Sequence, residues 1–415
     1  MNGGRTDVTK FECRISLCDG GAGATRWLNA ERRGRREVRG WQKVMTVVFL
    51  AVFGMVGLAE AAAEAAPILK VGHVGHDHHS ALYVAAKAGE RFKDMYGIWF
   101  KEIRDKDLYE LYDGDELVAE VELYKAGGGS KMPTMMSQGA FDVGFGGVAA
   151  VAFFVDKGSP MRMVAPLHSK GDMLVVQPDN ELNSWEEFVD WVKGQDRQVR
   201  VGYKNPVAVA KLVFQRALDH EGISHTGNVG NTDAQVLLIN MKGEKNLIPG
   251  LSTGQIDAYV SNNPWCAIAE DKNVGHCVTE LHDLPPGSFR DHPCCCIAAN
   301  TKAIAEQGEP IEKFLALMAV STHFINGNRD EAVEYVAEWI GTTPEVELIS
   351  MATSGYSMAP NLAFYDGMWT WYGEMVGMEK LTDKLKGATR EEFEEMLYDF
   401  SLLDAGLADA LERIK

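Results

Sequence analysis

Two short stretches, Gly139-Ala140-Phe141-Asp142-Val143-Gly144 and Gly254-Gln255-Ile256-Asp257-Ala258-Tyr259, follow one pattern. Each predicts a helix that ends at glycine, a turn at the aspartate and a short buried strand. The strand then gives way to small or polar residues, Phe145-Gly146-Gly147 in the first copy and Ser261-Asn262-Asn263-Pro264 in the second. Such strands favour an α/β fold.

The pattern extends towards the N-terminus of both copies. Residues 69–73 (LKVGH) and 199–203 (VRVGY) predict strands, and each is followed by a polar loop. Residues 80–92 and 207–221 then predict helices with alanine and leucine at helical spacing. Strand–helix–strand units of this kind form parallel sheets covered by helices, so two copies predict two α/β lobes.

Two further segments extend this plan. Residues 105–125 alternate apolar and polar residues around Asp113-Gly114, which predicts a β-hairpin at a sheet edge. The tail, from about Phe364 to Lys415, has apolar residues three and four apart and predicts helices joined by short loops.

Composition excludes several classes of protein. The chain has 415 residues, of which 46% are hydrophobic and 24% charged, as in a globular protein large enough for two domains. The formal net charge is −18, from 41 basic and 59 acidic residues. A nucleic-acid-binding protein would carry a basic surface, so we expect no nucleic-acid partner.

The sequence pattern of the first 61 residues predicts a leader. Basic residues from Arg32 to Lys43 precede the uncharged run 44–59, and small-x-small cleavage patterns follow from Ala59. This order predicts a secretory signal peptide, with the mature chain starting between Ala61 and Pro67 in the periplasm. Residues 1–37 are longer than such a leader needs, which indicates a mis-set start or untranslated sequence.

The segments ILKVGHVGHDHHSALYVAAKAGERF (68–92), MMSQGAFDVGFGGVAAV (135–151) and GLSTGQIDAYVSNNPW (250–265) occur in an order that is specific to one superfamily. The sequence resembles the periplasmic substrate-binding proteins of ABC importers for nitrate, sulfonates and taurine. This superfamily also includes the thiamine-pyrimidine (NMT1-like) proteins. The resemblance covers Ile68 to about Pro360.

The resemblance implies a two-lobed periplasmic-binding-protein clamshell of type II, with parallel-rich sheets flanked by helices. Lobe one would comprise residues 67–177 and 289–361, lobe two residues 178–288, and residues 362–415 would form C-terminal helices. The lobes of such proteins close around a ligand by a hinge.

Ligands of open parallel sheets lie beyond the carboxyl ends of the strands, where five loops of this chain match the ligand-lining loops of the family. Glycines there let backbone N–H groups approach a ligand, and helix N-termini favour negative charge. The predicted ligand-binding residues are His76, Asp77, His78, His79, Gly127, Gly128, Gly146, Gly147, Lys204, Asn205, Asn262, Asn263 and Trp265. Lys204 is the expected charged contact of an anionic ligand.

Two histidine- and cysteine-rich strings leave alternatives open. His73, His76, His78 and His79 could hydrogen-bond the ligand, bind a metal or serve the structure, and their spacing is no zinc signature. The string His292-Pro293-Cys294-Cys295-Cys296 is similar to the cysteine-rich strand of thiamine-pyrimidine synthases, where such a run is associated with iron. Buried structural thiols are the simpler interpretation, with Cys294 and Cys296 on one face of the strand and Cys295 on the other.

We therefore expect a monomeric, non-enzymatic solute-binding protein. It would capture a small anionic or neutral polar organic ligand and deliver it to an ABC permease, its only link to the membrane. No cofactor and no metal are expected. The alternatives are an enzyme of the thiamine-pyrimidine-synthase type and a ligand-sensing module for a membrane receptor.

Overall fold

A computed structural model of the protein describes residues 65–126 and 131–415. The predicted leader lies outside these residues. Among the residues described, no helix has the length and apolar character of a membrane-spanning segment. In chain order the strands are β1 Ile68–His73, β2 Ile98–Arg104, β3 Leu108–Asp113, β4 Glu116–Lys125, β5 Val143–Gly147, β6 Met161–Lys170, β7 Asp172–Val176, β8 Val199–Tyr203, β9 His225–Thr226, β10 Val236–Asn240, β11 Ala258–Asn262, β12 His276–Glu280, β13 Pro293–Asn300 and β14 Ser354–Tyr356.

Helices cover these strands. In chain order they are α1 Ser80–Ala88, α2 Glu90–Tyr96, α3 Lys131–Ser137, α4 Val148–Asp156, α5 Trp185–Lys193, α6 Val209–His220, α7 Leu247–Ser252, α8 Trp265–Asp271, α9 Thr301–Glu306, α10 Gly308–Gly327, α11 Arg329–Ile340, α12 Pro344–Ala352, α13 Leu362–Gly377, α14 Arg390–Leu397 and α15 Ser401–Arg413. Short 3₁₀ turns lie at Asp77–His79, Glu244–Asn246 and Leu281–Asp283.

The described strands form two sheets. The first has the order β14-β6-β13-β5-β1-β4-β3-β2, and the second β12-β7-β11-β8-β10-β9. Strands β1, β4 and β5 are parallel in the first sheet, as are β8, β9, β10 and β11 in the second. This is the predicted α/β architecture. The predicted hairpin is β3–β4, whose turn includes Gly114 at a φ of 59°, and β3 with β2 extends the sheet edge.

The aspartates of the repeated pattern accept equivalent hydrogen bonds in both sheets. Asp142 accepts a hydrogen bond from the backbone N–H of Lys70 at 2.8 Å, and Asp257 accepts one from Arg200 at 2.8 Å. Each bond ties the turn before one strand to the parallel strand beside it. The residue before each aspartate also packs closely on that strand, because a Cβ at Gly72 would lie 2.6 Å from the Phe141 ring and one at Gly202 would lie 2.5 Å from Ile256.

The chain crosses between the sheets twice. It passes from β6 to β7 through Gly171, which has a φ of 88°, and returns between β12 and β13. Strands β7 and β13 are antiparallel to their neighbours β11 and β5. The resemblance implies a lobe boundary at residues 177–178, but the chain already crosses at Gly171. Strand β7 therefore belongs to the second sheet. The division into lobes itself remains a prediction.

The C-terminal helices pack on the first sheet. Asp399 donates its backbone N–H to the carbonyl of Met163 in β6 at 3.0 Å. The connection between α13 and α14 covers residues 378–389, longer than the short loops predicted for the tail. The buried carboxylate of Asp156 stabilises it by accepting backbone N–H groups from Thr382, Asp383 and Leu385.

Candidate functional site

Loops from both sheets meet at one cavity. It lies at the carboxyl ends of the parallel strands β1, β5, β8 and β11, the position at which open α/β sheets bind ligands. The cavity has a volume of about 20 Å³. That is room for about one water molecule or one ion. Of the residues predicted from the sequence, it is lined by His76, His78, Gly146, Gly147, Lys204, Asn205 and Asn262.

Four other predicted residues, Asp77, His79, Asn263 and Trp265, do not line the cavity. The Asp77 carboxylate is buried and accepts the hydroxyl hydrogen of Ser350. His79 accepts the backbone N–H of Val74 at its Nδ1, at 3.3 Å, and its ring packs against His76. Trp265, the first residue of α8, is half-buried.

Asn263 holds loops together instead of lining the cavity. Its Nδ2 donates to the Thr353 hydroxyl at 2.9 Å, and its Oδ1 accepts the backbone N–H of Ala267 in α8 at 3.2 Å. These contacts fix the start of α8 relative to the first sheet. Gly127 and Gly128 lie outside the described residues.

Lys204 already has polar partners. Its ammonium group lies 3.1 Å from Glu244 Oε1 and also donates to the side-chain oxygen of Asn262. Both charged side chains are nearly buried, with 11% of Lys204 and 10% of Glu244 exposed. Burial by itself would lower the pKa of Lys204, but the charges of Glu244 and Asp172 outweigh it and raise that pKa. An anionic ligand would therefore have to compete with Glu244.

The structure adds lining residues that sequence reasoning did not assign to the site. Asp172, Cys294 and Cys295 line the cavity, and His168 lies behind them. Asp172 begins β7, and Cys294 and Cys295 follow Pro293 at the start of β13, so these residues lie next to the two crossings between the sheets. The signal for the cysteines was visible in the sequence, but nothing there connects them to His168 or Asp172.

The expected alternation of the three cysteines is wrong. The pairing of β13 with β6 shifts register between Pro293 and Cys295 and again between Cys295 and Cys296. A bulge of this kind re-aims side chains. As a result, both Cys294 Sγ and Cys295 Sγ approach His78 Nδ1, at 3.6 and 3.8 Å, whereas Cys296 Sγ lies 3.6 Å from the Gly146 carbonyl oxygen.

Three histidines around these cysteines are oriented in the same way. One ring nitrogen of each faces a backbone carbonyl: His78 Nε2 faces Gly171 at 3.1 Å, His168 Nδ1 faces Ser169 at 3.2 Å, and His292 Nδ1 faces Phe289 at 2.6 Å. The second nitrogen of His168 and of His292 is buried without a hydrogen-bond partner. The other nitrogen of each ring is thereby left to face the cysteines and Asp172.

The group is strongly polarised. Burial by itself would raise the pKa of the Cys295 thiol, but the hydrogen bond with Cys294 and the nearby imidazoles outweigh it and hold that pKa well below its usual range. Burial would likewise lower the pKa of His78, but the contacts with Cys295 and Asp77 raise it to about 9. Cys295 is therefore the most acidic of the three neighbouring thiols, because burial raises the pKa of Cys294 and of Cys296.

Comparisons with known proteins agree with this fold. Matches include the nitrate-binding protein NrtA of Synechocystis PCC 6803, at a TM-score of 0.63 and 13% identity, over 85% of this chain and 91% of that one. The zinc-bound ligand-binding component of an ABC-type import system from Staphylococcus aureus matches at a TM-score of 0.62 and 14% identity, over 81% and 98%. The alkanesulfonate-binding protein SsuA of Xanthomonas axonopodis pv. citri, bound to MOPS, matches at 0.58 and 12%, over 81% and 99%.

These likenesses confirm the predicted periplasmic-binding-protein fold. In sequence, the chain is 34% identical to uncharacterized protein MJ1180 of Methanocaldococcus jannaschii over 140 residues, which are 33% of this chain and 97% of that protein. The family model for the NMT1-like family matches residues 62–341. The chain therefore belongs to the NMT1-like family.

Proposed function

We propose that the protein is the extracytoplasmic solute-binding component of an ABC importer. It would be exported to the periplasm, capture a small solute between its two sheets and deliver the unchanged solute to a permease. The observation that carries this proposal is the shared cavity: the carboxyl ends of parallel strands from both sheets open onto it. The similarity in fold to NrtA, a nitrate-binding protein, and to SsuA, an alkanesulfonate-binding protein, supports the same role.

Solute entry requires the two sheets to move apart, because a cavity of about 20 Å³ admits no organic molecule. The two crossings are the natural hinge, since they join the sheets and Gly171 has the conformational freedom of a glycine. Gly147 lies where the two sides of the cavity would close on each other. A Cβ there would lie 3.6 Å from Val209 Cγ2 on α6, across the cavity from the first sheet.

The solute is expected to be small and polar, either anionic or neutral. Between these, a neutral polar molecule fits the lining better. The Lys204 ammonium is matched by the Glu244 carboxylate, and Asp172 adds a second carboxylate to the wall. Asn205 and Asn262 supply amide groups that can donate and accept hydrogen bonds.

The test is a thermal-unfolding screen of the purified chain with nitrate, alkanesulfonates, carboxylates and pyrimidines. A true solute at a hundredfold excess over its dissociation constant should stabilise the fold by about 2.7 kcal/mol. Gly147→Leu should lose this shift, because the larger side chain would fill the cavity and prevent closure. Gly147→Ala is the matched control, because its Cβ would make only ordinary contacts.

Both variants should keep the unliganded melting temperature close to that of the original chain, because Gly147 has an ordinary φ of −67°. A normal solute-induced shift in Gly147→Leu would refute the placement of the solute. Recovery of the solute in a chemically changed form would refute transport and favour the enzyme alternative.

A further inference from the structure

Six side chains that can ligate a metal lie together where the chain crosses between the sheets. They form two overlapping groups that share Cys294, and within each group the ligand atoms lie within 4.8 Å of one another. None of the six side chains belongs to a residue more than 4% exposed. The first group is His78, His168, Cys294 and Cys295, and the second is Asp172, His292 and Cys294.

In the first group, the distances from His78 to the two thiols match tetrahedral coordination, and all four ligand atoms lie within 4.8 Å of one another. A metal with Zn–S bonds of about 2.3 Å and Zn–N bonds of about 2.0–2.1 Å holds its ligand atoms about 3.3–3.8 Å apart. The His78 Nδ1 atom lies 3.6 Å from Cys294 Sγ and 3.8 Å from Cys295 Sγ. Small rotations of these side chains would therefore suffice to bind an ion.

The imidazoles are held as metal ligands usually are. A ligating histidine generally donates its other ring N–H to a backbone carbonyl or carboxylate, which fixes the tautomer and the ring orientation. His78 and His168 both face backbone carbonyls in this way, which leaves His78 Nδ1 and His168 Nε2 for the ion. His168 Nε2 is buried without a hydrogen-bond partner, a state that is unfavourable unless a ligand relieves it.

We propose that His78, His168, Cys294 and Cys295 bind one Zn²⁺ ion at the floor of the cleft. Two sulfur and two nitrogen ligands in tetrahedral geometry suit zinc better than magnesium or calcium, which prefer oxygen. Asp172 and His292 then lie in the outer shell, where Asp172 Oδ2 is 3.5 Å from Cys294 Sγ. This departs from the sequence-based expectation of no metal, and it holds whether or not the proposed solute-binding function does.

The bulge in β13 has a reason under this proposal. A regular strand would turn Cys295 away from Cys294, and only one thiol could reach the ion. The register shifts bring both thiols to His78. Because His78, Cys294 and Cys295 also line the cavity, a solute in the cleft would lie beside the ion.

The test uses the full chain carrying Cys13→Ser and Cys18→Ser, because those two thiols lie outside the described residues. The protein is reduced, stripped of metal with a chelator and titrated with Co²⁺ in the absence of oxygen. We expect one equivalent of Co²⁺ to bind, with sulfur-to-cobalt charge-transfer absorption and the visible bands of a tetrahedral site. Zn²⁺ should displace it.

Cys295→Ser should weaken Co²⁺ binding at least tenfold and reduce the charge-transfer band, since even outer-shell changes cost about 10–100-fold. Cys296→Ser is the matched control: it is the adjacent residue on the same strand, its thiol faces the Gly146 carbonyl, and Co²⁺ binding should not change. Equal weakening by Cys296→Ser, or no saturable binding by the parent chain, would overturn the proposal.

A second measurement removes any dependence on how the variants fold. X-ray absorption of the Zn²⁺-loaded parent chain should show two sulfur ligands at about 2.3 Å and two nitrogen ligands at about 2.0–2.1 Å. A shell of nitrogen and oxygen alone would overturn the site. Neither result bears on the solute screen, so the two proposals fail separately.

Discussion

Glu347 on α12 is a buried carboxyl group whose titration should affect the stability of the fold. Its side chain is fully buried, Oε1 accepts the hydroxyl hydrogen of Thr342 at 2.7 Å, and Oε2 has no hydrogen-bond partner. Burial, together with the charge of Asp77, raises the pKa of Glu347 to about 8. In the unfolded chain this carboxyl should titrate near its usual value of about 4.3.

The sign of the effect follows from these two pKa values. Below the unfolded value both states are protonated, and the contribution to stability is fully present. As the pH rises towards 8, the folded state retains a proton that the unfolded state has lost. Stability should therefore fall by up to about 1.4 kcal/mol per pH unit, or at most about 4 kcal/mol between pH 5 and pH 8.

The experiment is urea unfolding of the original chain and of Glu347→Gln at several pH values in this range. The amide keeps the oxygen that accepts from Thr342 but does not titrate, so the variant should gain stability relative to the original chain as the pH rises. Glu345→Gln, on the exposed first turn of the same helix, is the control and should leave the pH dependence unchanged. A free-energy difference between Glu347→Gln and the original chain that is constant with pH would refute the reasoning.

Three further variants test other parts of the site and fold. Lys204→Met should destabilise the fold by about 3–5 kcal/mol in urea unfolding because it leaves the Glu244 carboxylate buried without its partner, and adding Glu244→Gln should restore most of this loss. Asp257→Asn should cost about 1–2 kcal/mol of unfolding free energy at pH 7, because hydrogen bonds from arginines such as Arg200 outweigh burial and lower the pKa of Asp257 to about 2. This loss of stability relative to the original chain should shrink as the pH falls from 4 towards 2. Gly171→Ala should weaken Co²⁺ binding, because a Cβ at this positive-φ position would collide with the His78 imidazole; unchanged affinity would contradict that geometry.

The repeated unit could be predicted from the sequence because its interactions are local in pattern. In each copy a glycine, an apolar residue and an aspartate follow one another, and the structure shows why: Asp142 and Asp257 bond the neighbouring strand, and Phe141 and Ile256 pack over a glycine in it. Parallel pairing at those strands then places the loops at one edge of each sheet. The loop residues of the site follow from that placement.

The composition of the cleft floor could not be predicted in the same way. His168 and Cys295 are far apart in sequence and meet only because β6 and β13 pair as neighbours in the first sheet. The register shifts that bring Cys294 and Cys295 to the same side depend on this pairing and leave no signature in the string of three cysteines. Likewise, nothing in the sequence around Lys204 indicates that Glu244 neutralises the charge of its ammonium group.

The crossing at Gly171 links these features physically. Its carbonyl oxygen accepts the backbone N–H of Asn263, in the loop that follows β11, at 3.0 Å. The same oxygen lies 3.1 Å from His78 Nε2, in the loop that follows β1 of the first sheet. One acceptor thus serves both walls of the cleft, so a movement that separates the sheets cannot preserve both contacts unchanged. Because the contact with His78 aims its Nδ1 at Cys294 and Cys295, opening of the cleft and orientation of the proposed zinc ligand must be energetically coupled.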